Sequence, residues 1–145
     1  CGGGAEILVR EFAKQKRMGS CEFKAVYFNL SSECTKNLNF EENEYTLNVG
    51  FRSLKSILAI RNFIREEIEN NPSLIVHVHL TWPMLFVSIA TLGLGVDLFF
   101  TEHATSNGRR KYPFLKYIER LIYSRFKKII CISCCFSGIY ILRKP

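Results

Sequence analysis

The sequence predicts an α/β fold, a mostly parallel sheet with helices on both faces. Three observations predict it. Two short apolar runs, Leu74–Leu80 and Val96–Phe100, are bracketed by Pro72 and by glycines, as strands buried on both faces are. The uncharged segment between them, Trp82–Gly95, has the length of a crossover helix. Strand-like and helical segments then alternate along the rest of the chain, which is the pattern of a sheet with right-handed crossovers.

The elements follow in order. Three glycines, Gly2 to Gly4, precede ILVREFAKQKRMG, where Ala5, Leu8, Phe12 and Ala13 line one helical face and Met18-Gly19 stops the helix. Lys24–Leu30 reads as a strand and Glu33–Glu44 as a polar loop, and the alternation in Tyr45–Val49 marks a short peripheral strand. Phe51–Asn70 is helical, with Leu54, Ile57, Leu58, Ile64 and Ile68 inward, and Asn71-Pro72 ends it. After the strand–helix–strand unit comes a basic loop, Thr105–Lys111. Pro113 then starts a helix to about Phe126, with Leu115, Ile118, Leu121 and Ile122 buried. Lys128–Ile132 is a last buried strand, and Ser133 is the expected N-cap of a final helix, Cys134–Leu142. The glycine turn should itself follow a strand, so the first, central strand of the sheet is expected to be missing. The chain begins on Cys1 and ends on Arg143-Lys144-Pro145, and it reads as one domain, 1–145, cut at both ends.

Composition narrows the function classes. The formal net charge is +7, concentrated late: Thr105–Pro145 holds ten Lys/Arg against Glu119 alone. Such a patch favours phosphates, acidic lipid headgroups or nucleic acid. The aromatic residues interleaved with it fall on core positions of a helix, so nucleic acid finds no support beyond charge. Six cysteines include Cys131-Ile-Ser-Cys134, but no second ligand pair stands at zinc-site spacing. Buried free thiols in a reducing, cytoplasmic compartment are the reading that follows. Trp82–Val96 is shorter than the ~20 apolar residues of a spanning helix, and it contains Pro83, Gly93 and Gly95.

The chemistry-bearing residues gather at strand ends, where open parallel sheets bind their ligands. His77 and His79, two apart on a strand, share a face. Glu102 and His103 close the next strand, and a histidine there can donate to a hydroxyl or phosphate or act as acid or base. Three histidines also leave open a metal-dependent hydrolase built on His77, His79 and His103. Three glycines before a helix let the backbone approach a ligand and aim free N–H groups at it, although GGG is not the GxGxxG dinucleotide fingerprint.

Four segments in order, GGGAEILVREFAKQKRMG, LIVHVHLTWP, FFTEHATS and KKIICIS, resemble the N-terminal half of family 4 retaining glycosyltransferases. These are enzymes with two facing Rossmann-like domains, the GT-B arrangement. The resemblance implies a Rossmann-like N-terminal domain on the acceptor side of the active site, with a C-terminal donor-binding domain of the same chain as its partner. It implies transfer from a nucleotide-sugar, with retention, to a saccharide or lipid-linked acceptor in cell-surface polysaccharide biosynthesis, without a metal or other cofactor. Carried over by position, Gly2, Gly3 and Gly4 match the turn that approaches the donor diphosphate. His103 matches the histidine that reaches the transferred sugar. His79, Glu102, Arg109 and Arg110 lie near the same mouth and are expected as acceptor contacts. This half alone would be inactive. The basic Arg109–Lys128 region would dock on an anionic membrane surface, making the protein cytoplasmic and peripheral at the inner face. A non-catalytic Rossmann-like ligand-binding module is the alternative.

Overall fold

In the computed structural model the described residues are 4–15, 17, 18, 21–28, 42–50, 53–103, 113–132 and 139–143, with side chains described for 7–15, 21–28, 42–50, 53–103 and 117–131. The chain divides into two compact units, Cys1–Ala59 and Ile60–Pro145.

In the first unit α1 (Gly4–Lys14) is followed by a two-stranded antiparallel ladder, β1 (Arg17–Met18) with β2 (Cys21–Glu22). The strands β3 (Ala25–Tyr27) and β4 (Glu44–Thr46) then pair in parallel. Among the described residues of this unit, Ala13 and Ala25 are the buried apolar ones, small enough to let α1 lie close to β3. Two side chains tie the unit together. Asn43 donates through Nδ2 to the carbonyls of Ala13 (2.8 Å) and Phe23 (2.9 Å). The almost fully buried Glu44 carboxylate accepts from Tyr27 Oη at 2.8 Å and from Arg10 Nε at 3.3 Å. A buried carboxylate persists only when paired in this way.

The long helix α2 (Leu54–Asn70) begins in the first unit and continues into the second. The second unit holds the strand–helix–strand arrangement expected: β5 (Ile75–His79), α3 (Thr81–Ala90) and β6 (Asp97–Glu102), then α4 (Pro113–Tyr123), β7 (Lys128–Ile132) and β8 (Ile139–Arg143). Strand order is β5-β6-β7-β8; the first three are parallel and β8 is antiparallel to β7. Val78, Leu98 and Phe100 are buried with Met84, Phe86, Val87 and Ala90 of α3. Phe126 meets Phe100 at a tilt with ring centres 5.6 Å apart, and Tyr123 stacks on it at 6.1 Å. The turn from α3 to β6 uses Gly93 (φ 78°) and Gly95 (φ 65°), a left-handed backbone that a side chain would strain.

The C-terminus of α3 shows how this unit closes. Arg61 Nη1 donates to the carbonyls of Ala90 (2.7 Å) and Leu92 (2.8 Å), and Arg125 Nη2 donates to that of Thr91 (3.1 Å). The last carbonyls of a helix have no intrahelical partner and carry partial negative charge, so two guanidinium groups suit them.

The α/β fold with parallel strands and surrounding helices is therefore observed, and the strands fall into separate sheets. Several local expectations are corrected. The expected final helix is instead strand β8: Ile139-Tyr140-Ile141 is a β-branched and aromatic run that suits a ladder better than a helix. Ser133, its expected N-cap, lies outside the described residues. The buried stripe of α2 is Ser56, Ile60 and Ile64, at spacing i, i+4, i+8, whereas Leu54 (78%) and Leu58 (64%) are exposed. On α4, Ile118 and Leu121 are exposed rather than buried. Strand β5 is covered on one face only, since Ile75 and His77 are exposed while Val78 is buried. The first helix ends at Lys14, short of Met18, which enters β1. Of the thiols expected to be buried, Cys21 is exposed and Cys131 half-buried, and neither forms a disulfide. No helix among the described residues is long and apolar enough to cross a membrane.

Candidate functional site

The parallel strands β5 and β6 pair in register from Ile75↔Asp97 to His79↔Thr101, so their carboxyl ends finish side by side. Alternation along a strand divides the side chains. Val78, Leu98 and Phe100 enter the core, while His77, His79, Phe99 and Thr101 stand on the other face.

On that second face three imidazoles form a row. His77 Nε2 lies 2.8 Å from the hydroxyl of Thr101, a residue only 3% exposed. The His77 and His79 rings are 4.4 Å apart, and those of His79 and His103 are 5.3 Å apart. His79 Nδ1 lies 3.0 Å from His103 Nε2. Burial, with smaller contributions from the neighbouring His77 and His103, pulls His79 down to about 4. His77 is also lowered, first by burial and then by His103. Part of the His77 ring is open to water, but its Nε2 end is turned onto the buried threonine, which accounts for the burial effect on an otherwise exposed residue. Both imidazoles are therefore uncharged near pH 7, when positive charge would have to share a space some 5 Å across.

The backbone at this rim is unusual. Leu80, between His79 and the first turn of α3, has φ 70° and ψ 154°. Only glycine adopts that region without strain, and the cost for leucine is of order 1–3 kcal/mol. The residue turns the chain from β5 into α3 immediately beyond His79.

The other expected site residues are distributed as follows. Glu102 projects to the opposite face from His103, as alternation requires, and its Oε2 accepts from Tyr123 Oη of α4 at 3.1 Å. Gly4 opens α1 in the first unit. Gly2, Gly3, Arg109 and Arg110 lie outside the described residues. Among the described residues no group of three or more His, Cys, Asp or Glu side chains is arranged to hold a metal ion. His77 Nε2 is directed at a hydroxyl, and the facing nitrogens of His79 and His103 are directed at each other. Two features escaped sequence reasoning. Trp82, 46% exposed in the first turn of α3, stacks on Phe86 at the same end of the sheet. The contact between His79 and His103 depends on strand register, which no local pattern encodes.

No curated protein and no solved structure matches the chain significantly. The family model of Glycosyltransferase Family 4, however, matches residues 2–134, nearly the whole sequence, and so includes both histidine-bearing strand ends; the chain belongs to Glycosyltransferase Family 4.

Proposed function

We propose that this chain is the acceptor-side half of a retaining glycosyltransferase, moving a sugar from a nucleotide-sugar to a saccharide or lipid-linked acceptor in cell-surface polysaccharide synthesis. The observation that carries the reading is the pairing of His79 and His103 at adjacent carboxyl ends of parallel strands, where sheets of this class receive ligands. In the reaction the bond from the anomeric carbon to the diphosphate oxygen breaks. A bond to an acceptor hydroxyl oxygen forms on the same face, and the hydroxyl proton leaves with the nucleoside diphosphate. His103 contacts the transferred sugar near the leaving group. The backbone of Gly2, Gly3 and Gly4 meets the diphosphate, and Gly4 opens α1, a helix N-terminus being suited to offset the growing negative charge. His79, Glu102, Arg109 and Arg110 contribute on the acceptor side.

A donor-binding domain of the same protein supplies the other wall of the site, and no metal takes part. The basic stretch between Arg109 and Lys128 docks the protein on the anionic inner face of the membrane, where a lipid-linked acceptor would be presented. The test is nucleotide-sugar turnover with saccharide and lipid-linked acceptors on the full-length protein beside His103→Ala. Loss of turnover in the variant is expected, and unchanged turnover removes His103 from the reaction. Co-sedimentation with phosphatidylcholine vesicles, with and without phosphatidylserine, tests the membrane role, and indifference to the anionic lipid counts against it.

A further inference from the structure

His79 is held from three sides by described residues. Its ring lies against that of His77, which is in turn anchored on the buried Thr101 hydroxyl. The strained Leu80 fixes the chain on its other side. Its Nδ1 meets His103 Nε2 at 3.0 Å, so one nitrogen of each imidazole is committed to the other. We propose that His79 is the positioning residue of His103: it holds the Nε2 edge and leaves Nδ1 as the nitrogen presented to the sugar or its departing diphosphate. The inference rests on the reading of His103 as the group that meets the transferred sugar.

The direction of the bond follows from charge. With a value of about 4, His79 is neutral at pH 7 and has one lone pair and one N–H. If His79 donated from Nδ1, protonating His103 would set two N–H groups against each other. If His103 donates from Nε2 to the His79 lone pair, the bond survives whether His103 is neutral or charged. That arrangement leaves His103 Nδ1 as an acceptor for a sugar hydroxyl when neutral and a donor to a phosphate oxygen when charged. The partner on one ring nitrogen thus decides what the other can do.

The two ideas are separable by experiment. Long-range proton–nitrogen correlation spectra of the uniformly labelled protein report which imidazole nitrogens carry protons. The expected result is Nε2–H on both His79 and His103. His79→Phe keeps a ring beside both neighbours and removes the acceptor, so His103 should become a mixture of tautomers. His79→Asn sets an oxygen close to the Nδ1 position and should restore Nε2–H on His103. If His79→Phe does not fold, His79→Gln takes its place, because its polar atoms stand near Nε2 and not Nδ1. An unchanged His103 in these variants overturns the inference.

Release of nucleoside diphosphate from UDP-glucose and GDP-mannose, with acceptor present, is the second readout, taken on whichever donor the full-length protein turns over. His79→Phe should lower kcat about tenfold or more, with KM for the nucleotide-sugar within about twofold, and His79→Asn should recover most of the loss. A raised KM at unchanged kcat would make His79 a plain substrate contact and overturn the positioning role. If His103→Ala keeps full turnover, the sugar-contact reading of His103 fails, while the spectra still decide whether His79 sets its tautomer.

Discussion

His77 Nε2 sits 2.8 Å from Thr101 Oγ1, one rung diagonally across the β5–β6 ladder, and the threonine is almost wholly buried. A hydroxyl in that position is isolated from water and depends on the imidazole as its side-chain partner. Thr101→Val preserves the shape and deletes the hydroxyl. It should cost about 0.5–1.5 kcal/mol in unfolding free energy by urea denaturation. A variant as stable as the parent would show that the bond contributes nothing net.

Stability should also depend on pH through the same row of rings. His79 titrates near 4 in the folded chain and near its ordinary 6.5 when unfolded. Between those values the unfolded state binds the extra proton, so stability falls as pH drops through that window and is unaffected above it. His77, lowered as well, adds in the same direction. The loss from His79 is on the order of 1–2 kcal/mol by pH 4 once screening by water is counted. Urea midpoints at pH 7, 5.5 and 4.5 should decline in the parent and decline less in His79→Gln. Parallel declines would place the acid sensitivity elsewhere.

Arg61 and Arg125 bind carbonyls at the end of α3, part-buried at Ala90 and Thr91 and exposed at Leu92. Arg61→Met keeps much of the side-chain volume and removes both bonds, to Ala90 and Leu92. The expected loss is about 1.5–3 kcal/mol, and Arg61→Lys, with a single point of charge, should recover only part of it. Hydrogen exchange should quicken first at the last turn of α3. Uniform quickening across the chain would mean that Arg61 does not act locally.

Leu80 offers the opposite sign. Replacing it with glycine removes a side chain that is 39% exposed and relieves a backbone at φ 70°. Leu80→Gly should therefore raise the melting temperature, by about 1 kcal/mol of stability after the entropy lost to the more flexible unfolded chain. If the strain also helps to aim His79, the stabilised variant should lose kcat. A melting temperature below the parent's would show that packing of the leucine outweighs its strain.

In the first unit, Asn43 spends both amide protons on the carbonyls of Ala13 and Phe23, while its own buried Oδ1 has no hydrogen-bond partner among the described residues. Asn43→Ala strands the two carbonyls and should cost about 1–3 kcal/mol. Asn43→Asp should be worse at neutral pH, because it points carboxylate oxygens at carbonyl oxygens. Denaturation of both variants checks the order.

Periodicity and punctuation in the sequence were sufficient for the central elements. The apolar runs Leu74–Leu80 and Val96–Phe100, the uncharged segment between them, Pro72 before the unit and Pro113 after it all fall where β5, α3, β6 and α4 are found. These signals are local, and each acts through the backbone of its own few residues. Long-range relationships were beyond them. Which leucines of α2 and α4 are buried depends on what each helix meets, so Leu54 and Leu121 read as core and are exposed. The run Ile139–Arg143 lies at helical and strand spacing alike until β7 provides a ladder for it. His79 and His103 are 24 residues apart in the chain and 3.0 Å apart in space. Only the parallel register of two strands brings them together, because hydrogen bonding between backbones, and no property of either side chain, decides which residue faces which.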